Sequence, residues 1–142
     1  MRSILLILTV YSFGFSEYIK NNGVVYDTTT NLYWQDDYSD NQNSIKKSNW
    51  SEALIYCKDL ELNNYNDWRL PNIVELTSIV DDTKYNPAIS EVFDNTQSSR
   101  YWSSTTNAFY SNGAWGVYFG NGDQNDNNKS DDVYVRCVRA GE

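Results

Sequence analysis

Asp123, Asp126, Asp131 and Asp132 stand in a run, residues 121–132, built almost wholly of carboxylates and amides: Asn121-Gly122-Asp123-Gln124-Asn125-Asp126-Asn127-Asn128-Lys129-Ser130-Asp131-Asp132. Carboxylate and amide oxygens are what a hard cation takes, so these four aspartates are candidate calcium ligands, and calcium is the one cofactor the residues suggest. The spacing departs from an EF-hand because no glutamate closes the run. A solvated hairpin loop would have the same composition.

Just before it, Tyr101, Trp102, Phe109, Tyr110, Trp115, Tyr118 and Phe119 interleave with amides. Sugar faces stack on rings while amides take hydroxyls, so such a stretch can bind a glycan. Alternation along residues 114–119 places Trp115, Val117 and Phe119 on one face, expected to be core, and Tyr118 on the other. Tyr110 and Tyr118, with Asn107, Asn112, Asn121 and Asn125, are therefore the candidate ligand contacts.

Catalytic chemistry finds less support. The chain has no histidine, and Ser103-Ser104-Thr105 lacks the glycine framing of a nucleophile elbow. Cys57 and Cys137, the only cysteines, have no histidine to activate a thiol or complete an ordinary structural zinc site. Aspartates are numerous enough that chance pairs carry no weight. No catalytic residue is assigned, and the expectation is a protein that is not an enzyme.

These residues must be positioned by a chain of 142 residues, a length suited to one domain with a real core. Residues 1–16 carry one positive charge at Arg2, then Ile4-Leu5-Leu6-Ile7-Leu8-Thr9-Val10 and a Gly14-x-Ser16 ending. That is the pattern of a cleaved signal peptide, and the apolar run is too short for a comfortable membrane span. Residues 17–142 then form the mature domain, free in the periplasm or outside the cell, with no membrane span. In an exported chain the even pair Cys57 and Cys137 is most simply a disulfide. Helical spacing puts Cys57 on a stripe with Trp50, Ala53, Leu54 and Leu60, and alternation puts Cys137 with Val133 and Val135.

Val24-Val25-Tyr26 and Leu32-Tyr33-Trp34 flank a turn-rich Asp27-Thr28-Thr29-Thr30-Asn31 and predict a hairpin. Asn49, with Glu52 three residues on, predicts a helix over 50–60. Pro71 keeps Leu70 extended, and Asn72 with Glu75 forms a capping-box pattern, so a second helix is predicted over 73–80, with Ile73, Leu76, Ile79 and Val80 as its apolar residues. Residues 81–100 suggest an irregular loop with one short helical turn. Strands are predicted over 101–103, 114–119 and 133–138. Helices first and strands later give an α+β class, with two helices packed on antiparallel strands.

Five blocks, taken in order, resemble one family. They are Gly23-Val24-Val25-Tyr26-Asp27 with Thr30-Asn31-Leu32-Tyr33-Trp34-Gln35-Asp36; residues 50–57; Asp67-Trp68-Arg69-Leu70-Pro71-Asn72-Ile73-Val74-Glu75-Leu76; Tyr101-Trp102-Ser103-Ser104-Thr105; and Tyr134-Val135-Arg136-Cys137-Val138-Arg139. The family is the Legionella collagen-like protein C-terminal domain, with Trp68, Arg69, Pro71, Asn72, Glu75, Trp102 and Arg136 as its motif residues here. The resemblance implies a single C-type-lectin-like domain and the long-range disulfide of that fold. Where the family has a glycine-rich turn, this chain has Asn63-Asn64-Tyr65-Asn66, and asparagine also tolerates left-handed turns. Arg69-Leu70-Pro71-Asn72-x-x-Glu75 also looks like the helix start of formylglycine-generating enzymes, which use a closely spaced cysteine pair that this chain lacks. The lectins' Trp-Asn-Asp calcium string is absent as well.

The functional expectation is a secreted, non-catalytic recognition or adhesion module whose partner is a surface glycan or protein. The alternative is an envelope structural or assembly component docking a partner protein. A third reading follows from the fold: proteins diversified by retroelements vary a C-terminal segment at asparagine codons, and Asn107, Asn112, Asn121, Asn125, Asn127 and Asn128 lie in the comparable segment. The family's founding member is an adhesin for sulfated glycosaminoglycans. Here the formal charge is -8, one unit more negative once Arg2 is removed, so nucleic acid and anionic membranes are disfavoured and any patch of Lys46, Lys47 and Lys58 sits in a repulsive field. Nothing in the residues fixes an oligomeric state.

Overall fold

Asn31, at φ 57°, closes the turn between β2 (Val24–Asp27) and β3 (Leu32–Gln35), which pair antiparallel with Val25 opposite Trp34. The computed structural model describes residues 17–141, so the expected signal peptide, residues 1–16, lies outside the described residues. A strand the composition did not reveal, β1 (Tyr18–Asn21), joins β2 through Asn22 and Gly23, both at positive φ. A glycine is required at 23 because a Cβ there would lie 2.4 Å from that of Asp37.

The two helices start where their caps predict. Asn49 accepts the amide of Glu52 to open α1 (Trp50–Asp59), and Asn72 with Glu75 completes a capping box opening α2 (Ile73–Ser78). The second helix stops short of the predicted Val80, because Val80 instead bonds back to Thr77 in a tight turn and bridges Ile89. No helical turn forms over 81–99. That segment is held by backbone bonds such as Ala88 to Phe119 and Asn86 to Gly120.

A five-stranded sheet follows in the order β4-β8-β5-β6-β7, made by β4 (Lys47–Ser48), β5 (Arg100–Thr106), β6 (Gly113–Tyr118), β7 (Asp123–Asn128) and β8 (Val133–Tyr134). Its pairs are antiparallel except at Tyr101 and Tyr134. The last strand, β9 (Val138–Ala140), crosses to the first sheet and pairs with β3, giving the order β1-β2-β3-β9. The continuous strand predicted over 133–138 is thus broken into β8 and β9. The break holds Arg136, whose guanidinium turns inward to Gln35, Asp36 and Asn95 instead of alternating outward.

The result is an α+β architecture of two helices and two mostly antiparallel sheets. One apolar cluster gathers Ala53, Cys57, Leu60, Trp68, Trp102, Val133, Val135 and Cys137. The other holds Trp34, Leu76, Ile79, Tyr101, Val117, Phe119 and Val138. Within the first, Cys57 and Cys137 form the expected disulfide with Cα atoms 5.4 Å apart. It ties α1 to the β8–β9 break and not to a strand.

Candidate functional site

The largest departure from the sequence expectation is at residues 121–132, where the polar run is not a loop. Six of its residues form β7, the edge strand, in unbroken register with β6 from Gly113 opposite Asn128 to Tyr118 opposite Asp123. Its composition is poor for a strand, but the backbone ladder from β6 and side-chain bonds within the strand supply what propensity does not.

Register assigns each side chain a face. Tyr118, Gly116 and Ala114 share one face with Asp123, Asn125 and Asn127, and Arg100 lies on it opposite Tyr118. Arg100 Nη1 donates to Asn127 Oδ1 at 3.0 Å, and Asn127 Nδ2 donates to Asn125 Oδ1 at 2.8 Å. Gly116 leaves room for this row: a Cβ there would meet Asn127 Nδ2 at 2.8 Å and the Tyr101 carbonyl oxygen at 2.3 Å. The Tyr118 ring lies across Gly120 and remains 37% exposed. In the hairpin below it, Asn121 Oδ1 accepts the Asp123 amide and Asn121 Nδ2 donates to Asp123 Oδ2, so Asn121 shapes the turn. Asn127 and Ala114 are buried, so what this face presents is its Tyr118–Asp123 end: a ring, the Arg100 guanidinium, the Asp123 carboxylate and the half-buried Asn125 amide.

The other expected contacts lie elsewhere. Asn112 and Tyr110 are exposed in the β5–β6 loop with Phe109, which is fully exposed, at the far end of β6 from Tyr118. Along six strand residues that is roughly 17 Å. Asn107 is nearly buried: its Oδ1 accepts the Phe109 amide and its Nδ2 donates to Asp126, so it holds the loop and is not free for a ligand. The expected core face is also corrected in one place. Val117 and Phe119 are buried, but Trp115 is only half-buried, because its cross-strand neighbour is the exposed Asp126 of the edge strand.

The four aspartates proposed for calcium are not gathered. Asp123 and Asp126, three positions apart in a strand, project from opposite faces, and Asp131 and Asp132 lie beyond the strand's end. Among the described residues no group of three or more histidine, cysteine, aspartate or glutamate side chains is arranged to hold a metal ion.

The motif residues are scaffolding for this face. Arg69 donates from Nη1 and Nη2 to Glu75 at 2.6 and 2.7 Å, and Asn72 N–H donates to Glu75 Oε1 at 2.9 Å. Burial pushes the Glu75 carboxyl up, but the Arg69 and Asn72 hydrogen bonds outweigh it and hold the group below the usual carboxylate range. Trp68 Nε1 donates to the carbonyls of Leu62 and Tyr65, Trp102 Nε1 to that of Ser48, and the Pro71 carbonyl accepts the Ser104 amide, pinning the helix start to β5. Arg136 is fully buried.

Sequence reasoning missed Arg100 and Gly116. Alternation places Arg100 with Trp102, but only the pairing with a strand eighteen residues away brings it to Tyr118. No helix among the described residues is long and apolar enough to cross a membrane. The chain belongs to the Lcl C-terminal domain family, which it matches over residues 23–139. No curated protein matches it.

Proposed function

We propose that this chain is an exported, non-catalytic recognition module that holds a surface glycan or protein at the exposed Tyr118–Asp123 end of β6 and β7. The observation that carries the reading is the exposed Tyr118 ring set beside Arg100, Asp123 and Asn125 on a sheet face fixed by backbone pairing. A ring offers stacking area at low entropic cost, and the flanking donors and acceptors orient what stacks on it. Family membership supports an adhesive role, and the Cys57–Cys137 bridge fits an oxidising compartment.

Printed glycan and protein arrays test the reading: the mature chain retains an array component, Tyr118→Ala weakens that retention about tenfold, the scale of one lost stacking contact, and the melting temperature does not move. Turnover of any array component overturns it.

Phe109 favours a second reading, docking onto an envelope protein, because a fully exposed ring at a loop tip is a ready anchor for a protein pocket. Loss of one stoichiometric envelope partner in Phe109→Ser, with array binding intact, is the result that reading requires.

A further inference from the structure

The first sheet carries a row that spans all four strands. Ile19 faces Tyr26, Tyr26 faces Tyr33, and Tyr33 faces Arg139, so these side chains share the face away from the Trp34 and Val25 core. The Tyr26 and Tyr33 rings stack with centroids 4.5 Å apart. The Arg139 guanidinium lies 5.0 Å from the Tyr33 centroid and 3.6 Å from that of Tyr65, which extends the row by one more ring. Ile19 is 51% exposed and Tyr65 44%.

Two adjoining cavities flank this row. One, of about 200 Å³, is lined by Ile19, Asn21, Val24, Tyr26, Tyr33 and Asn63. The other, of about 520 Å³, shares Asn63 and is lined besides by Glu61, Asn64, Tyr65 and Asn66. Asn63 and Asn64 are held at φ 55° and 64°, in the segment where the family resemblance leads one to expect glycine. Elsewhere asparagine side chains serve the chain itself, as Asn49 and Asn72 cap helices and Asn107 and Asn121 bind loop amides. Among the described residues, the side-chain amides of Asn21, Asn63, Asn64 and Asn66 make no hydrogen bond within the protein.

We infer that this face is a second ligand site, distinct from the β6–β7 face, and that it takes a neutral saccharide, one pyranose ring packing its C–H face on Ile19 and Tyr26 while the amides of Asn21 and Asn63 bind its hydroxyls. Charge sets the class. The smaller cavity has no charged lining residue, and the larger has only Glu61. Arg139 is bound by Asp67 at 2.6 Å and its side chain is 4% exposed, so it offers nothing to a sulfate or carboxylate. Size sets the extent: about 200 Å³ falls below the usual range for ligand pockets, which suits a single ring, and the adjoining cavity gives room for a second.

The test uses the mature chain on an array of neutral and sulfated oligosaccharides, followed by NMR titration with the methyl pyranoside corresponding to any neutral hit. Asn63→Gly with Asn64→Gly removes both amides and keeps the left-handed turn, which glycine adopts freely. A neutral hit that loses about tenfold in affinity in this variant, the scale of one or two hydrogen bonds, and that shifts the amide signals of Ile19, Tyr26 and Asn63, supports the site. The same hit is unaffected by Tyr118→Ala, so failure of the β6–β7 reading and failure of this one are separable. No neutral hit, retention of sulfated sugars alone, or a neutral hit indifferent to the double glycine variant overturns it.

Discussion

Arg136 and Asp36, one hundred residues apart in sequence, meet as an ion pair at 3.3 Å with both side chains wholly buried. Asp36 also accepts the amides of Asp94 and Asn95 at 2.8 and 3.0 Å and Lys20 Nζ at 3.0 Å. Arg136 in turn donates to Gln35 O, Asn95 O and Thr96 Oγ1 and packs over the Phe93 ring at 4.7 Å. The pair fastens the irregular segment before β5 to the first sheet.

Removing one partner of such a pair leaves the other charge buried without compensation, at a cost of about 3–5 kcal/mol. Asp36→Ala is therefore expected to lower the urea midpoint sharply. Arg69→Ala, which breaks a pair whose arginine is 46% exposed, should cost much less, and equal losses for the two would count against the buried network.

Acid stability should depend on Glu75. Its folded pKa lies below the ordinary carboxylate value, so its contribution is present above the unfolded value and fades as pH falls through the folded one. Glu75→Gln is expected to be less stable than the unmodified chain at neutral pH, with the deficit closing as pH drops from about 5. Asp67, lowered chiefly by its hydrogen bond to Arg139, and Asp81, lowered chiefly by that to Thr83, add to the same acid limb. Melting curves from pH 2 to 8 measure the gap, and a constant deficit would contradict the assignment.

The bridge closes eighty residues. In the chain-entropy picture that is worth roughly 4 to 5 kcal/mol. Non-reducing peptide mapping should recover the Cys57 and Cys137 peptides joined, and reduction should lower the unfolding free energy by an amount of that order.

Because Asp123 and Asp126 face opposite ways, millimolar calcium is expected to leave the melting temperature unchanged. A rise abolished by Asp126→Asn would reveal an ion held at this hairpin.

Local rules were enough for the elements that begin with a cap. Asn49 and Asn72 each announce a helix within one turn, and the hairpin of Val24 and Trp34 follows from alternation around a turn. The Cys57–Cys137 pairing was legible because only two cysteines exist. What could not be read depends on partners distant in sequence: β7 is a strand because β6 lies beside it, and Arg136 points inward because Asp36 waits there. The candidate contacts divided for the same reason. Tyr118 and Asn125 met through register, whereas Asn107 was consumed by its own loop. The tyrosine row was hidden until four strands, one of them drawn from the far end of the chain, were laid side by side.

The crossing of β9 into the first sheet also sets an order of assembly. Residues 135–139 bond to Lys46, Gln35 and Arg69 and carry Cys137 to Cys57, so neither apolar cluster closes until nearly the whole polypeptide is available. Contacts so distant in sequence slow folding. A chain emerging residue by residue therefore completes neither cluster, nor the bridge between Cys57 and Cys137, until its final segment arrives.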